Sequence, residues 1–313
     1  MKIIITGGCG YIGTELTKLL LLKGFFVKVI DTQWFGNFLP KHKNLIVIKK
    51  DIRDISTKDL SGYEKIIHLA NIANDPSAEL DKDLSWDVNV LAIKSLVEKS
   101  IISKIKHFIF SSSGSVYGIK KERKVVEDSE LTPISIYNKT KMIAERTLLS
   151  YQDKIKIHCI RPATVCGYSD KMRLDLTVNA LTFNALKNKK IIVHGGKQIR
   201  PNINIKDLIN VFSYFIRKKN LKTGIYNAGF ENMSVLQIAK LVSKVIPSKI
   251  IIKRMFDPRN YRLDSSKLLK IGFKRKYSIK NAIEELKIKF NEGKVYNNIN
   301  FYSIKKLKKI KAK

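Results

Sequence analysis

The stretch that most constrains this 313-residue chain is its first thirteen residues. Ile3-Ile4-Ile5 is a β-branched run, Gly7, Gly10 and Gly13 then fall three apart, and an apolar pattern of helical spacing covers residues 12–23. β-Branched residues favour a strand and the later period favours a helix, so the glycines sit in a strand-to-helix turn. Gly7 permits the tight turn, Gly10 lets backbone amides approach a ligand, and Gly13 lets the helix pack closely on the sheet. The helix N-terminus adds partial positive charge. Strand, turn and helix together form a cradle for a dinucleotide pyrophosphate, with Gly7, Gly10, Tyr11, Ile12 and Gly13 as its residues.

The same rhythm repeats downstream. Strand-like runs cover residues 2–6, 26–31, 45–49, 65–69, 107–111 and 156–161, with helical patterns over 12–23, 85–100 and 135–150. Alternating strands and helices predict right-handed βαβ units and a doubly wound parallel α/β sheet of the Rossmann type. The rhythm changes beyond Pro162, and a last amphipathic segment lies near residues 278–290. We expect a dinucleotide-binding domain over 1–165, a return to it near 200–230, and a smaller α/β substrate domain over most of 166–313. The lysine-rich tail, 305–313, is expected to be solvated.

Asp31 ends the second strand, 18 residues beyond Gly13, where a carboxylate meets the adenosine ribose. No Arg follows it, and a 2′-phosphate would be repelled, so NAD is favoured over NADP. Asp51-Ile52, after the third strand, falls where an adenine contact is expected.

Charge invites a different reading. The net charge is +33, but only 11 of the 60 basic residues are arginine, and lysine, isoleucine and asparagine abound together. That combination marks AT-rich coding, whereas phosphate readers lean on bidentate arginine, so a nucleic-acid partner is not expected. Cys9, Cys159 and Cys166 make no even framework or C-x-x-C pair, which suits a reducing cytoplasm. The five histidines lack metal-ligand spacing, so no metal is expected. No apolar run approaches the ~18 residues of a membrane span, and no signal peptide is evident.

Tyr137 and Lys141 lie four apart on one predicted helical face, and Ser111-Ser112-Ser113 ends the fifth strand at the ligand-binding edge of the sheet. Free tyrosine titrates near ~10. A neighbouring ammonium and a cationic nicotinamide would lower that value, letting Tyr137 take a hydroxyl proton as hydride leaves carbon. Planar guanidinium groups suit a diphosphate, and Arg200 and Arg259 stand out in an arginine-poor chain, with Arg262 a weaker candidate.

With these pieces in place, the chain resembles an extended short-chain dehydrogenase/reductase of the NAD-dependent sugar-nucleotide epimerase/dehydratase family, almost end to end. The matching pieces are residues 6–13, Asp31, 51–54, His68-Leu69-Ala70, Asn89, 111–118, Tyr137 with Lys141, Arg161-Pro162, and 200–207. The resemblance implies Ser113 as the catalytic Ser/Thr, Tyr137 as base and Lys141 as its activator. It also implies cofactor contacts from Ala70 and Asn89, and a floor beneath the nicotinamide from residues 161–164. Arg200 would hold the substrate diphosphate, and Asn179 the diphosphate or sugar. The family's 4,6-dehydratases carry Asp and Glu after the catalytic Thr; here Gly114 and Ser115 stand there, which argues against water elimination. Asn71 and Asn204 replace a commoner small residue and a commoner His. Segments 73–80 and 173–179 resemble a subgroup acting on GDP-linked heptoses in bacterial capsule assembly. The implied reaction is oxidation of the sugar C4 hydroxyl, with C4 epimerisation as the alternative. The family also implies a homodimer through helices 85–100 and 135–150.

Overall fold

The computed structural model describes residues 1–120, 122, 124–255 and 260–311. Twelve strands are present: β1 Lys2–Thr6, β2 Phe26–Asp31, β3 Leu45–Lys49, β4 Lys65–His68, β5 His107–Ser111, β6 Lys156–Pro162, β7 Thr164–Cys166, β8 Lys190–His194, β9 Ile199–Asn204, β10 Gly224–Ala228, β11 Glu231–Ser234 and β12 Lys249–Lys253. Seven of them form a parallel sheet in the order β10-β6-β5-β4-β1-β2-β3. The order reverses between β1 and β4, which opens a crevice at their carboxyl ends. Ile3, Ile4 and Ile5 are fully buried, because helices cover both faces of the sheet.

On one face the helices Tyr11–Leu22 and Ile205–Arg217 pack together. The second buries Leu208, Val211, Phe212, Phe215 and Ile216 along one stripe. On the other face lie Ala92–Ile102 and Ile136–Leu149. Ser135 caps the latter, its side chain accepting from Asn138 N at 3.1 Å. The helix expected over 85–100 is longer and interrupted. It runs as Lys82–Trp86, a π turn Asp87–Leu91, and Ala92–Ile102. Hydrophobic spacing marks a buried face but is blind to one residue inserted into a turn.

The remaining strands form a three-stranded sheet, β11-β9-β7, and a parallel pair, β12-β8. Helices Thr177–Asn188, Val235–Val245 and Ile279–Asn291 cover them around a third apolar cluster. This layer stands beyond the carboxyl edge of β4, β5 and β6 and walls the crevice.

The C-terminal tail departs from the solvated segment expected for it. Ser303–Lys311 is a helix. Leu307 and Ser303 are buried, and the helix packs on another, Asp75–Leu80. Lys311 Nζ lies 2.6 Å from Asp81 and donates to Leu80 O at 3.2 Å. Ile304, Leu307 and Ile310 recur three apart between the lysines, so the lysine count conceals a genuine apolar stripe.

Candidate active site

The crevice is a cavity of about 860 Å³ running from Asp31 and Trp34, past the glycine turn and Tyr137, to Arg200 and Tyr261. That size suits a cofactor or drug-sized ligand and leaves few ways to fill it without convergent polar groups.

At one end the glycines act as the turn requires. Gly7 has φ +73° and donates to Ile30 O at 2.9 Å. A Cβ there would lie 2.7 Å from Ala70 Cα, and one at Gly13 2.6 Å from Gly8 Cα. Turn, helix and the end of β4 therefore meet backbone to backbone. A Cβ at Gly10 would meet only Gly7 O, at 3.2 Å. Gly10 caps the helix and lines the cavity, as do Tyr11, Ile12 and Gly13. The carboxylate of Asp31, also in the cavity, accepts from Cys9 N at 3.0 Å and Gln33 N at 2.7 Å. Burial raises its pKa, against the pull of those two amides. A glycine cradle at a helix N-terminus beside a strand-end carboxylate fits a dinucleotide.

Ile52 and Ala70 line the cavity. Asp51 does not: it accepts from Arg53 N, Nε and Nη2 at 2.9, 3.1 and 2.9 Å. Asn89 is fully buried in the π turn, away from the cavity wall. Its amide accepts from Ile72 N at 2.9 Å and donates to Ile72 O at 3.3 Å and Thr140 Oγ1 at 3.2 Å. It fixes the backbone that carries Asn71. The Asn89 amide is thus a support of the wall, because its polar atoms are already committed, whereas the Asp51 carboxylate keeps lone pairs for a further donor.

The middle of the cavity gathers Ser113, Tyr137 and Lys141. Ser113 follows β5, and its Oγ lies 2.7 Å from Ser115 Oγ. Lys141 Nζ donates to Ser111 O at 2.7 Å and stands 4.5 Å from the Phe110 ring centroid. With its amide oriented to satisfy its neighbours, Asn71 accepts from Lys141 Nζ at 3.3 Å and donates to Ile72 O at 3.0 Å. Burial pushes the Lys141 ammonium down to about 7, with Glu145 and Cys159 opposing. Burial also pushes the Tyr137 phenol up to about 12; Asp75 adds to this, while the Ser113 hydroxyl and Arg173 oppose it. The expected activation by the ammonium is therefore not a property of the protein surroundings by themselves. The pocket is too poorly solvated to favour the phenolate, and Lys141 spends a proton on a carbonyl.

Gly114 stands at the place of the dehydratase acid. A Cβ there would meet Pro162 O at 3.3 Å and Tyr261 Oη at 3.4 Å, a close but not forbidden fit, so the lack of an acid at this place rests on the residue type. Ser115 Oγ is taken up by Ser113 and by Asn138 Nδ2, the latter at 2.9 Å.

Of residues 161–164, Pro162, Ala163 and Thr164 line the cavity. Arg161 lies behind it, paired with Glu145 at 2.6 Å and bonded to Tyr117 Oη at 2.7 Å. Arg200, on β9, reaches the far end of the cavity. Arg259 lies outside the described residues, and Arg262 is exposed. Asn179 is corrected: it is fully buried and does not line the cavity. Its side chain accepts from Gly167 N at 2.9 Å and donates to Tyr11 Oη at 3.1 Å and Arg173 O at 3.0 Å. Asn204 likewise serves its own helix, accepting from Lys206 N at 2.9 Å. Lys171, Arg173, Tyr261 and the tail residues Ser303, Ile304 and Leu307 also line the site. Only Ile304 and Leu307 left a readable signal, their helical spacing.

A parallel sheet of this order, with a dinucleotide cradle beside a Ser/Tyr/Lys set, defines an NAD-dependent enzyme of the short-chain dehydrogenase/reductase type. Residues 3–229 match the NAD dependent epimerase/dehydratase family, and the chain belongs to it. A UDP-glucose 4-epimerase of Lactobacillus helveticus is 27% identical over 307 residues, covering 88% of this chain and 93% of that protein. Among solved structures, the UDP-glucose 4-epimerase of Thermotoga maritima with UDP-glucose has a TM-score of 0.85 at 25% identity, covering 94% of this chain and 99% of that one. The UDP-glucuronic acid 4-epimerase of Bacillus cereus, in complex with UDP-glucuronic acid and NAD, has a TM-score of 0.83 at 25% identity, covering 93% and 99%. No helix among the described residues is long and apolar enough to cross a membrane.

Proposed function

We propose that the protein oxidises the C4 hydroxyl of a nucleotide-diphosphate sugar to the ketone, the sugar nucleotide being GDP-D-glycero-α-D-manno-heptose used in bacterial capsule assembly. The observation that carries the reaction is the meeting of Ser113, Tyr137 and Lys141 between the dinucleotide cradle and Arg200. The likeness of segments 73–80 and 173–179 to the GDP-heptose subgroup supports the choice of sugar.

NAD, held by the glycine turn and Asp31, would supply a hydride acceptor and a positive charge. Tyr137 takes the C4 hydroxyl proton, and Ser113, beside it in the cavity, holds the substrate oxygen. Lys141, one helical turn from Tyr137 and in the same cavity, helps keep the phenol ionised once the cofactor adds its own charge. Arg200 meets the substrate diphosphate, with Arg259 as a second contact. Gly114 and Ser115, neither of which carries an acid, support a reaction that stops before elimination. Leu91, 62% exposed at the head of the helix Ala92–Ile102, supports pairing of two copies through that helix and Ile136–Leu149. Light scattering tests it.

C4 epimerisation is the second reading, favoured by the names of the relatives. It uses the same oxidation and returns hydride to the other face. Incubation with GDP-heptose, UDP-glucose and UDP-glucuronic acid separates them. Net NADH with a 4-keto product supports the dehydrogenase; a C4 epimer without net NADH replaces it.

A further inference from the structure

The loop after β7 brings a buried cation to the Asp31 end of the cavity. Lys171 is only 3% exposed, and its ammonium stands 4.5 Å from the centroid of the Phe35 ring. No described residue accepts a hydrogen bond from it. The nearby acids are committed elsewhere. Asp31 accepts from two backbone amides. Asp175 is held by Arg173 Nε at 2.6 Å and Nη2 at 3.2 Å, and by Ser303 N at 3.0 Å. Leaving an ammonium buried without an acceptor is costly. Burial and the like charge of Arg173 push Lys171 down to about 7, against the attraction of Asp175 and Asp31.

Two hydrogen bonds fix where this cation sits relative to the glycine turn. Tyr11 Oη donates to Gly167 O at 2.8 Å, and Ser169 Oγ donates to Tyr11 O at 3.0 Å. Lys18 also pairs with Asp170. The loop is therefore strapped to the first turns of the helix whose N-terminus faces the cavity. The C-terminal helix lines the same cavity with Ile304 and Leu307, and its first residue is tied to the loop by Ser303 N donating to Asp175 at 3.0 Å. Such a position suits an anionic oxygen of a diphosphate, which can come from the dinucleotide or the sugar nucleotide.

We infer that Lys171, which lines the same cavity as the glycine turn, binds the diphosphate of the dinucleotide and completes its cradle. The nearness of Lys171 to Asp31 and Tyr11, rather than to Arg200 at the far end, assigns it to the dinucleotide. The inference rests on the family's use of NAD and is independent of which sugar is oxidised.

The test uses Lys171→Met and Lys171→Gln in the full chain stripped of cofactor, with ADP-ribose, GDP and UDP as calorimetric probes. ADP-ribose carries the diphosphate but accepts no hydride, so failure of the proposed C4 oxidation leaves this measurement intact. Loss of one charge-assisted hydrogen bond is expected to weaken ADP-ribose binding roughly 10- to 100-fold in both variants. GDP and UDP should bind as to the parent. Ligand-free Lys171→Met should melt no lower than the parent, because it removes an unpaired buried charge, and this also reports that it folds. Unchanged ADP-ribose affinity in either folded variant overturns the inference, and so does a loss confined to GDP and UDP.

Discussion

Lys141 donates to the carbonyl of Ser111 at 2.7 Å. The helix carrying Lys141 is thereby pinned to the end of the strand that leads into Ser113, so two sequence-distant elements share one hydrogen bond. The ammonium is buried against Phe110, and the cost of that burial shows in its titration near 7.

The sign of this cost is testable. An unfolded lysine keeps its proton to about 10.4, whereas folded Lys141 releases it at about 7. Between those values the unfolded chain binds the extra proton, so stability rises with pH. Lys141→Met should melt above the parent at and below neutral pH, by about 2–4 °C per kcal/mol recovered. The two curves should converge towards pH ~10. Calorimetry across pH checks it; a variant that melts lower at acid pH contradicts a strained ammonium.

Tyr137→Phe removes the proton acceptor but little packing. Turnover should fall by at least about 10²- to 10⁴-fold, the range for a general base, while bound NAD stays at the parent's level. Product assays and the dinucleotide content of denatured protein together check it.

Asp31→Asn keeps an acceptor for one of the two amides, since Gln33 N and Cys9 N donate to different carboxylate oxygens, and removes the charge that would face the ribose. NAD should bind more weakly, and discrimination against NADP should shrink by roughly tenfold or more as like-charge repulsion disappears. Titrating both dinucleotides measures the ratio.

Asn179 and Arg200 should separate cleanly. Asn179→Ala strands Gly167 N and two further partners, so it should cost about 2–4 kcal/mol of stability. Arg200→Gln should raise KM for the nucleotide sugar roughly 10- to 100-fold and cost less stability than Asn179→Ala. Melting curves and steady-state kinetics on the same preparations decide between the roles.

Ending the chain at Tyr302 removes the helix Ser303–Lys311, with its buried Leu307, from its place against the helix Asp75–Leu80. Loss of that buried side chain should cost about 1.5–3 kcal/mol, and NAD should escape faster on dilution. A truncated protein that retains NAD like the parent would show that the helix is no part of the closure.

Much of the site was legible because its residues repeat local rules. The turn around Gly7, Gly10 and Gly13 announces itself between a β-branched run and a helical period. Tyr137 and Lys141 share a face by spacing alone. Asn89 and Asn179 show the limit. Residue type says that an amide will bond, but not whether its partner is a ligand or a neighbouring backbone, and here Ile72 and Gly167 claim them.

The sequence by itself determined the parallel sheet, the dinucleotide cradle and the Ser/Tyr/Lys set, since each follows from spacing within a few consecutive residues. Tertiary structure alone decided what faces the cavity. It drew Lys171 and Leu307 into its wall, and it left a phenol that is harder, not easier, to ionise. Burial is a property of what packs around a group from distant parts of the chain, and burial sets both the charge a side chain can hold and the partner it needs.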